Sequence, residues 1–203
     1  MAKSLLRETN WNRVYRMSDS AIRWESKFLD PTFSISAAFI RERWDDWGDD
    51  EQLDFSLAFA AKRDLSKEDE EIVEYLMEVA DADVCSNLAS IVSKISDKSK
   101  AISLLVARIE RQQRPLSNYY STISFLDPTT AVPILRGEYK CYLESSFMGD
   151  YQTIRDYAHC SKELLALEGD EKYRNDLAKL SQSADERVSR LARRLLDRVE
   201  TKE

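Results

Sequence analysis

Apolar residues recur along this chain at intervals of three and four. Ile72, Leu76 and Val79 share one helical face, and Val84, Leu88, Ile91 and Ile95 share another. Ala101, Leu104, Leu105 and Ile109 continue the pattern, as do Val188, Leu191, Ala192, Leu195 and Val199 near the end of the chain. Between these stripes stand residues that start helices. Asp81 and Asp97 can accept backbone N–H bonds at the head of the segments that follow them. Ser66–Asp69 reads as a capping box with aspartate in place of glutamate, and Ser183–Glu186 as the S-x-x-E form. Starts are predicted near residues 32, 50, 66, 81, 97, 115, 128, 150, 170 and 184, giving helices of about 12 to 17 residues joined by brief turns. The best strand candidate, Tyr119 to Phe125, follows Pro115 and Ser117 and is read as a short helix.

The punctuation agrees with that reading. Only four glycines and four prolines interrupt 203 residues, so regular structure is long and connections are short. Three glycines precede aspartate, at Gly48-Asp49, Gly149-Asp150 and Gly169-Asp170. Each pair suits a corner, with glycine closing one helix in the left-handed conformation and aspartate capping the next. The string FLDPT occurs twice, at Phe28–Thr32 and Phe125–Thr129. Asp30 and Asp127 suit the N-cap, and Pro31 and Pro128 suit the first helical position, where a missing N–H costs nothing. The Phe-Leu pair before each can pack back as a hydrophobic staple. The repeat is read as a reused helix start, with duplication of a longer unit left open.

Short connections make successive helices antiparallel neighbours. The expectation is therefore an all-α chain of about ten helices, an α-solenoid of short antiparallel pairs. It is read as a single domain over residues 1–203, with residues 1–30 as an N-terminal extension or capping helix. From about residue 50 to 200 the pattern resembles HEAT-like α-helical repeats. Asp185, Val188, Ala192, Leu195 and Leu196 look like the second half of such a unit, and Ala101, Ile102, Leu104 and Leu105 like the other half. The resemblance implies a binding scaffold rather than an enzyme.

Hydrophobic content of 43% and charged content of 33% argue against disorder. No apolar run approaches the roughly 18 residues of a membrane span, and the first residues lack the pattern of a secretory signal. The chain is expected in the cytoplasm and away from membranes. Cys85, Cys141 and Cys160 are too few and too scattered for a disulfide framework and read as small buried side chains. His159 is the only histidine, so neither a histidine-based metal site nor a histidine-dependent triad is expected. No cofactor, metal or catalytic residue is assigned, and no phosphate-cradling glycine loop occurs.

Charge divides the chain. Residues 41–83 carry sixteen acids and five bases, while the rest carries 21 acids and 25 bases. Such an acidic stretch repels nucleic acid and attracts a basic protein. The candidate contact is Trp44, Asp45, Asp46, Trp47, Asp49 and Asp50, joined by Tyr119, Tyr120, Glu138 and Tyr139 where their helices line a concave face. A protein-binding scaffold is the leading reading, with an inhibitor or immunity-type protein for a basic partner as its specific form. Two alternatives follow from resemblance. Asp45, Asp46 and Asp49 resemble the first D-D-x-x-D motif of helical prenyl-diphosphate synthases, which binds Mg²⁺. Basic residues at 84–114, and at Arg187, Arg190, Arg193, Arg194 and Arg198, look like the DNA-binding face of HEAT-like glycosylases. Those arginines are interleaved with Asp185, Glu186, Asp197 and Glu200, which disfavours nucleic acid.

Overall fold

The computed structural model describes residues 19–28, 33–111, 114–144 and 150–201. The regular structure of these residues is all helical, with no strand among them. The helices are α1 (Asp19–Phe28), α2 (Ala37–Arg43), α3 (Asp49–Ala60), α4 (Lys67–Val79), α5 (Ala82–Val92), α6 (Lys98–Glu110), α7 (Ser117–Leu126), α8 (Pro128–Glu144), α9 (Tyr151–Glu168), α10 (Glu171–Leu180) and α11 (Glu186–Glu200). A single turn of tighter helix, Trp44–Asp46, lies between α2 and α3. No helix among the described residues is long and apolar enough to cross a membrane.

Local capping sets most of the helix starts. The Ser66 hydroxyl accepts the Asp69 N–H, and the Asp69 carboxylate accepts the Ser66 N–H, so the capping box opens α4. Asp81, Asp97, Asp150 and Asp170 cap α5, α6, α9 and α10 through their carboxylates. Asp127 accepts the N–H groups of Thr129 and Thr130, and Pro128 is the first residue of α8. The second FLDPT thus starts a helix as its chemistry dictates, although Phe125 is 79% exposed and does not act as a staple. Leu29–Thr32 of the first copy, and Gly149, lie outside the described residues. Gly169 takes the left-handed conformation, φ +67°, and closes α9.

Other expectations are corrected. Gly48 has φ −71° and is the N-cap of α3 rather than a left-handed helix stop. α2 starts at Ala37, capped by Ser36, six residues later than Pro31 suggests. Ser183 does not cap α11. Its hydroxyl accepts the Asp185 N–H, and Asp185, whose carboxylate takes the Arg187 N–H, is the cap. Val79 ends α4 49% exposed, and Cys141 is exposed, whereas Cys85 and Cys160 are buried. The remaining stripe residues at 84–95 and 188–199 are buried as their spacing requires.

The chain divides into two compact units, residues 1–95 and 96–203. In the first, α1 packs on α3, α3 on α5, α2 on α4, and α4 on α5. In the second, α9 is central and touches α7, α8, α10 and α11; α7 also meets α6 and α8, and α10 meets α11.

Candidate functional site

In the first unit the core around the acidic turn is built from phenyl and indole rings. Phe55, fully buried, touches Trp24, Phe28, Trp44, Trp47 and Phe59 at centroid distances of 5.1 to 6.1 Å. Edge-on and tilted approaches dominate, as aromatic quadrupoles prefer. Above this cluster the chain turns through Trp44–Asp46 and enters α3 at Asp49. Gln52 holds the turn, its amide donating to the carbonyls of Trp44 (2.9 Å) and Trp47 (3.2 Å).

That anchoring leaves the carboxylates outside. Asp45, Asp46, Asp49, Asp50 and Glu51 are all exposed. Asp46 pairs with Arg43 at 3.2 Å, and among the described residues Asp45, Asp49, Asp50 and Glu51 have no ion-pair partner. Asp49, Asp50 and Glu51 occupy the first turn of α3, whose cap Gly48 offers no side chain, so they also serve the helix's positive end. Trp44 is 2% exposed and Trp47 half-buried. Trp44 is therefore a core residue, and the surface of this corner consists of acids with the edge of Trp47.

Asp45 and Asp46 precede α3 while Asp49 begins it, so the three do not share one helical face as a D-D-x-x-D site requires. Among the described residues no group of three or more His, Cys, Asp and Glu side chains is gathered for a metal ion.

An open groove of about 440 Å³ adjoins the turn, lined by Trp24, Lys27, Phe33, Ile35 and Phe39 with Ser34 and Ser36. Phe39 is 44% exposed. Lys27 lies over the Trp24 ring at 4.5 Å, and Trp24 meets Trp47 at 5.5 Å. The apolar groove and the acidic turn are neighbours through that contact. Sequence spacing did not single out the groove. Its lining comes from α1 and the segment before and within α2, with no shared period.

The second unit places the other candidates inside. Tyr119 and Tyr120 are fully buried. The Tyr120 hydroxyl donates to Glu138 at 3.0 Å and lies 2.8 Å from the Tyr142 hydroxyl. Tyr139 donates to Asp176 and stacks on Tyr157 at 5.7 Å. Burial pushes the Tyr120 and Tyr142 phenols far above their ordinary range, and burial with the Asp176 bond pushes Tyr139 to about 12. Glu138 and Tyr139 are half-buried. These side chains support one another within the core; Tyr119 and Tyr120 present no surface to a partner.

Beside them Asp156, 0% exposed, accepts the Leu116 N–H (3.0 Å), the Ser117 N–H (3.2 Å) and the Gln152 amide (3.2 Å). Leu116 has no capping side chain, so a carboxylate 40 residues away caps α7. Desolvation outweighs those donors and raises the Asp156 carboxyl to about 6.

No family model, curated protein or solved structure matches this chain. Any functional reading therefore stands on the geometry of the two units alone. Of the ten residues singled out by sequence, Asp45, Asp46, Asp49 and Asp50 form an exposed cluster with Trp47 at its edge. Glu138, Tyr139, Tyr119 and Tyr120 belong to the other unit.

Proposed function

We propose that the chain is a non-catalytic protein-binding scaffold whose N-terminal unit captures a basic, amphipathic segment of a partner protein. The observation that carries this reading is the pairing of an open aromatic groove with a turn of exposed carboxylates. Apolar residues of the segment enter between Phe33, Phe39 and Trp24, and its lysines or arginines meet Asp45, Asp46, Asp49, Asp50 and Glu51. Charge supports the choice of partner, because residues 1–95 hold twenty acids and twelve bases. Carboxylates of this kind steer a cationic partner and raise its association rate. An inhibitor or immunity-type protein that covers a basic surface is the specific form of this role.

The frame we propose is a HEAT-like solenoid of antiparallel helix pairs. What supports it, within each unit taken separately, is packing of helices two apart: α1 on α3, α3 on α5 and α2 on α4 in one, α7 on α9 and α9 on α11 in the other. Layered repeats stack in this manner, each pair covering the next.

The test uses an intrinsic reporter. All four tryptophans fall in residues 1–95, so tryptophan emission follows that unit. A synthetic helical peptide with leucines on one face and lysines on the other is titrated against a scrambled peptide of the same composition. The reading expects a saturable emission change for the amphipathic peptide only, weakened at least fivefold, about 1 kcal/mol, by Phe39→Ser. Equal response to both peptides, or affinity untouched by Phe39→Ser, would count against it.

A further inference from the structure

The C-terminal unit carries a second surface feature of opposite sign. Between the α10–α11 turn and α11 lies an open groove of about 330 Å³ lined by Ser183, Glu186, Ser189, Arg190, Arg193 and Arg194. Three guanidinium groups face one carboxylate. Glu186 holds Arg190 at 2.5 Å. Arg193 reaches the Ser181 carbonyl only at 3.4 Å, and the Ser189 hydroxyl already donates to that oxygen at 2.7 Å. Arg194, half-buried, lines the same groove, with its Nε turned away from solvent. A guanidinium that lines a groove is built to present parallel N–H groups to an oxyanion.

The charge behind the groove has the same sign. α9 packs on α11, and His159 on α9 is surrounded by Arg155, Lys162, Arg194 and Arg198. Burial, with these cations, holds its imidazole near 3 and hence neutral. Some of the neighbouring charge is answered: Lys162 pairs with Glu163 at 2.8 Å, Arg187 with Asp185 at 2.8 Å, and Arg174 with Glu200 at 3.0 Å. Among the described residues Arg193, Arg194 and Arg198 have no carboxylate partner.

We infer that this groove is a binding site for a small phosphate monoester, gripped by Arg193 and Arg194 with Arg190 at its rim. A dianionic oxyanion offers acceptors for the guanidinium N–H groups of Arg193 and Arg194, which line the groove without a carboxylate partner among the described residues. The groove lies near the lower end of volumes typical of small-molecule sites and leaves room for an organic group beside the phosphate. A nucleic-acid backbone fits less well. It requires a row of phosphate contacts, whereas Glu186, Asp197 and Glu200 interrupt the basic residues of α11.

The single histidine makes the test direct, since His159 gives one set of ring resonances next to Arg194. The full chain at constant ionic strength is titrated with inorganic phosphate and with glycerol 3-phosphate while those resonances are followed. The expected result is a saturable shift with both, with the monoester binding at least as tightly as inorganic phosphate. Arg193→Gln, at an exposed position, is expected to weaken binding about tenfold, and Arg193→Gln with Arg194→Gln to abolish the shift. The proposal is overturned by no shift at millimolar ligand, by affinity unchanged in Arg193→Gln, or by binding of inorganic phosphate alone. Tighter binding of a DNA duplex, with steep salt dependence lost in the same variants, would replace it with a nucleic-acid face.

Discussion

The two units solve the burial of aromatic residues in opposite ways. In the N-terminal unit the rings are Trp24, Phe28, Trp44, Trp47, Phe55 and Phe59, packed mainly on one another around Phe55. Many of the unit's carboxylates are thereby free to stand outside. In the C-terminal unit the rings are tyrosines whose hydroxyls need partners, so Tyr120, Tyr139 and Tyr173 bond to Glu138, Asp176 and Glu168. There the carboxylates are drawn inward. The units also differ in net charge, −8 for residues 1–95 against +1 for residues 96–203. Phenyl rings carry no polar group to be bonded and leave carboxylates available, whereas buried phenols consume them as hydrogen-bond partners.

The largest effect expected from this contrast is at Phe55. Phe55→Ala removes the ring on which the others converge and should cost about 3–5 kcal/mol. The loss is read from the unfolding transition followed by tryptophan emission, and an unchanged midpoint would mean the cluster does not hold this unit.

The C-terminal unit should respond instead to pH. Asp156 has its carboxyl raised from 3.8 to about 6 in the folded state. The folded chain therefore binds more protons than the unfolded chain between those values. This group's stabilising contribution is full below pH 3.8 and is lost as pH rises through 6. Relative to Asp156→Asn, wild type should gain roughly 2 kcal/mol between pH 7 and pH 4, given 1.36 kcal/mol for each pH unit of the shift. Comparing the two proteins by denaturant unfolding removes the opposing contributions of Asp127, Asp150, Asp170 and Asp185, whose carboxyls are held low by hydrogen bonds at helix starts. A gap that does not move with pH would show that Asp156 is not the titrating group.

Smaller effects sharpen the same contrast. Tyr120→Phe deletes the bonds to Glu138 and Tyr142 and should cost about 1–2 kcal/mol. Replacing Asp45, Asp46, Asp49 and Asp50 together by Asn should cost at most about 1 kcal/mol, through loss of favourable charge at the start of α3. Equal destabilisation by these two variants in thermal unfolding would erase the distinction between consumed and available charge.

How much of this was legible in the sequence follows from how far apart the interacting atoms are along the chain. Caps such as Ser66 with Asp69, and Asp127 with Thr130, act across three residues, so most helix starts could be read directly. Where two local devices compete, as at Ser183 and Asp185, the pattern alone chose the wrong one. The acidic exposure of Asp45, Asp49 and Asp50 was legible from charge density. The burial of Trp44, Tyr119 and Tyr120 was not, because an aromatic residue suits a core and a contact surface equally well. Asp156 capping α7 from 40 residues away, and Gln52 holding the turn above Phe55, left no periodic trace.

In the proposed function, the acidic turn of the N-terminal unit draws a basic partner to the neighbouring aromatic groove. The most direct test of this steering is the association rate of the leucine-lysine helical peptide, measured by stopped-flow tryptophan emission across ionic strength, for wild type and for the Asp45, Asp46, Asp49 and Asp50 to Asn variant. Steering by these carboxylates predicts an on-rate about tenfold lower for the variant at about 0.01 M salt, converging with wild type near 1 M, where screening shortens to about 3 Å. Identical on-rates for the two proteins at low salt would contradict it.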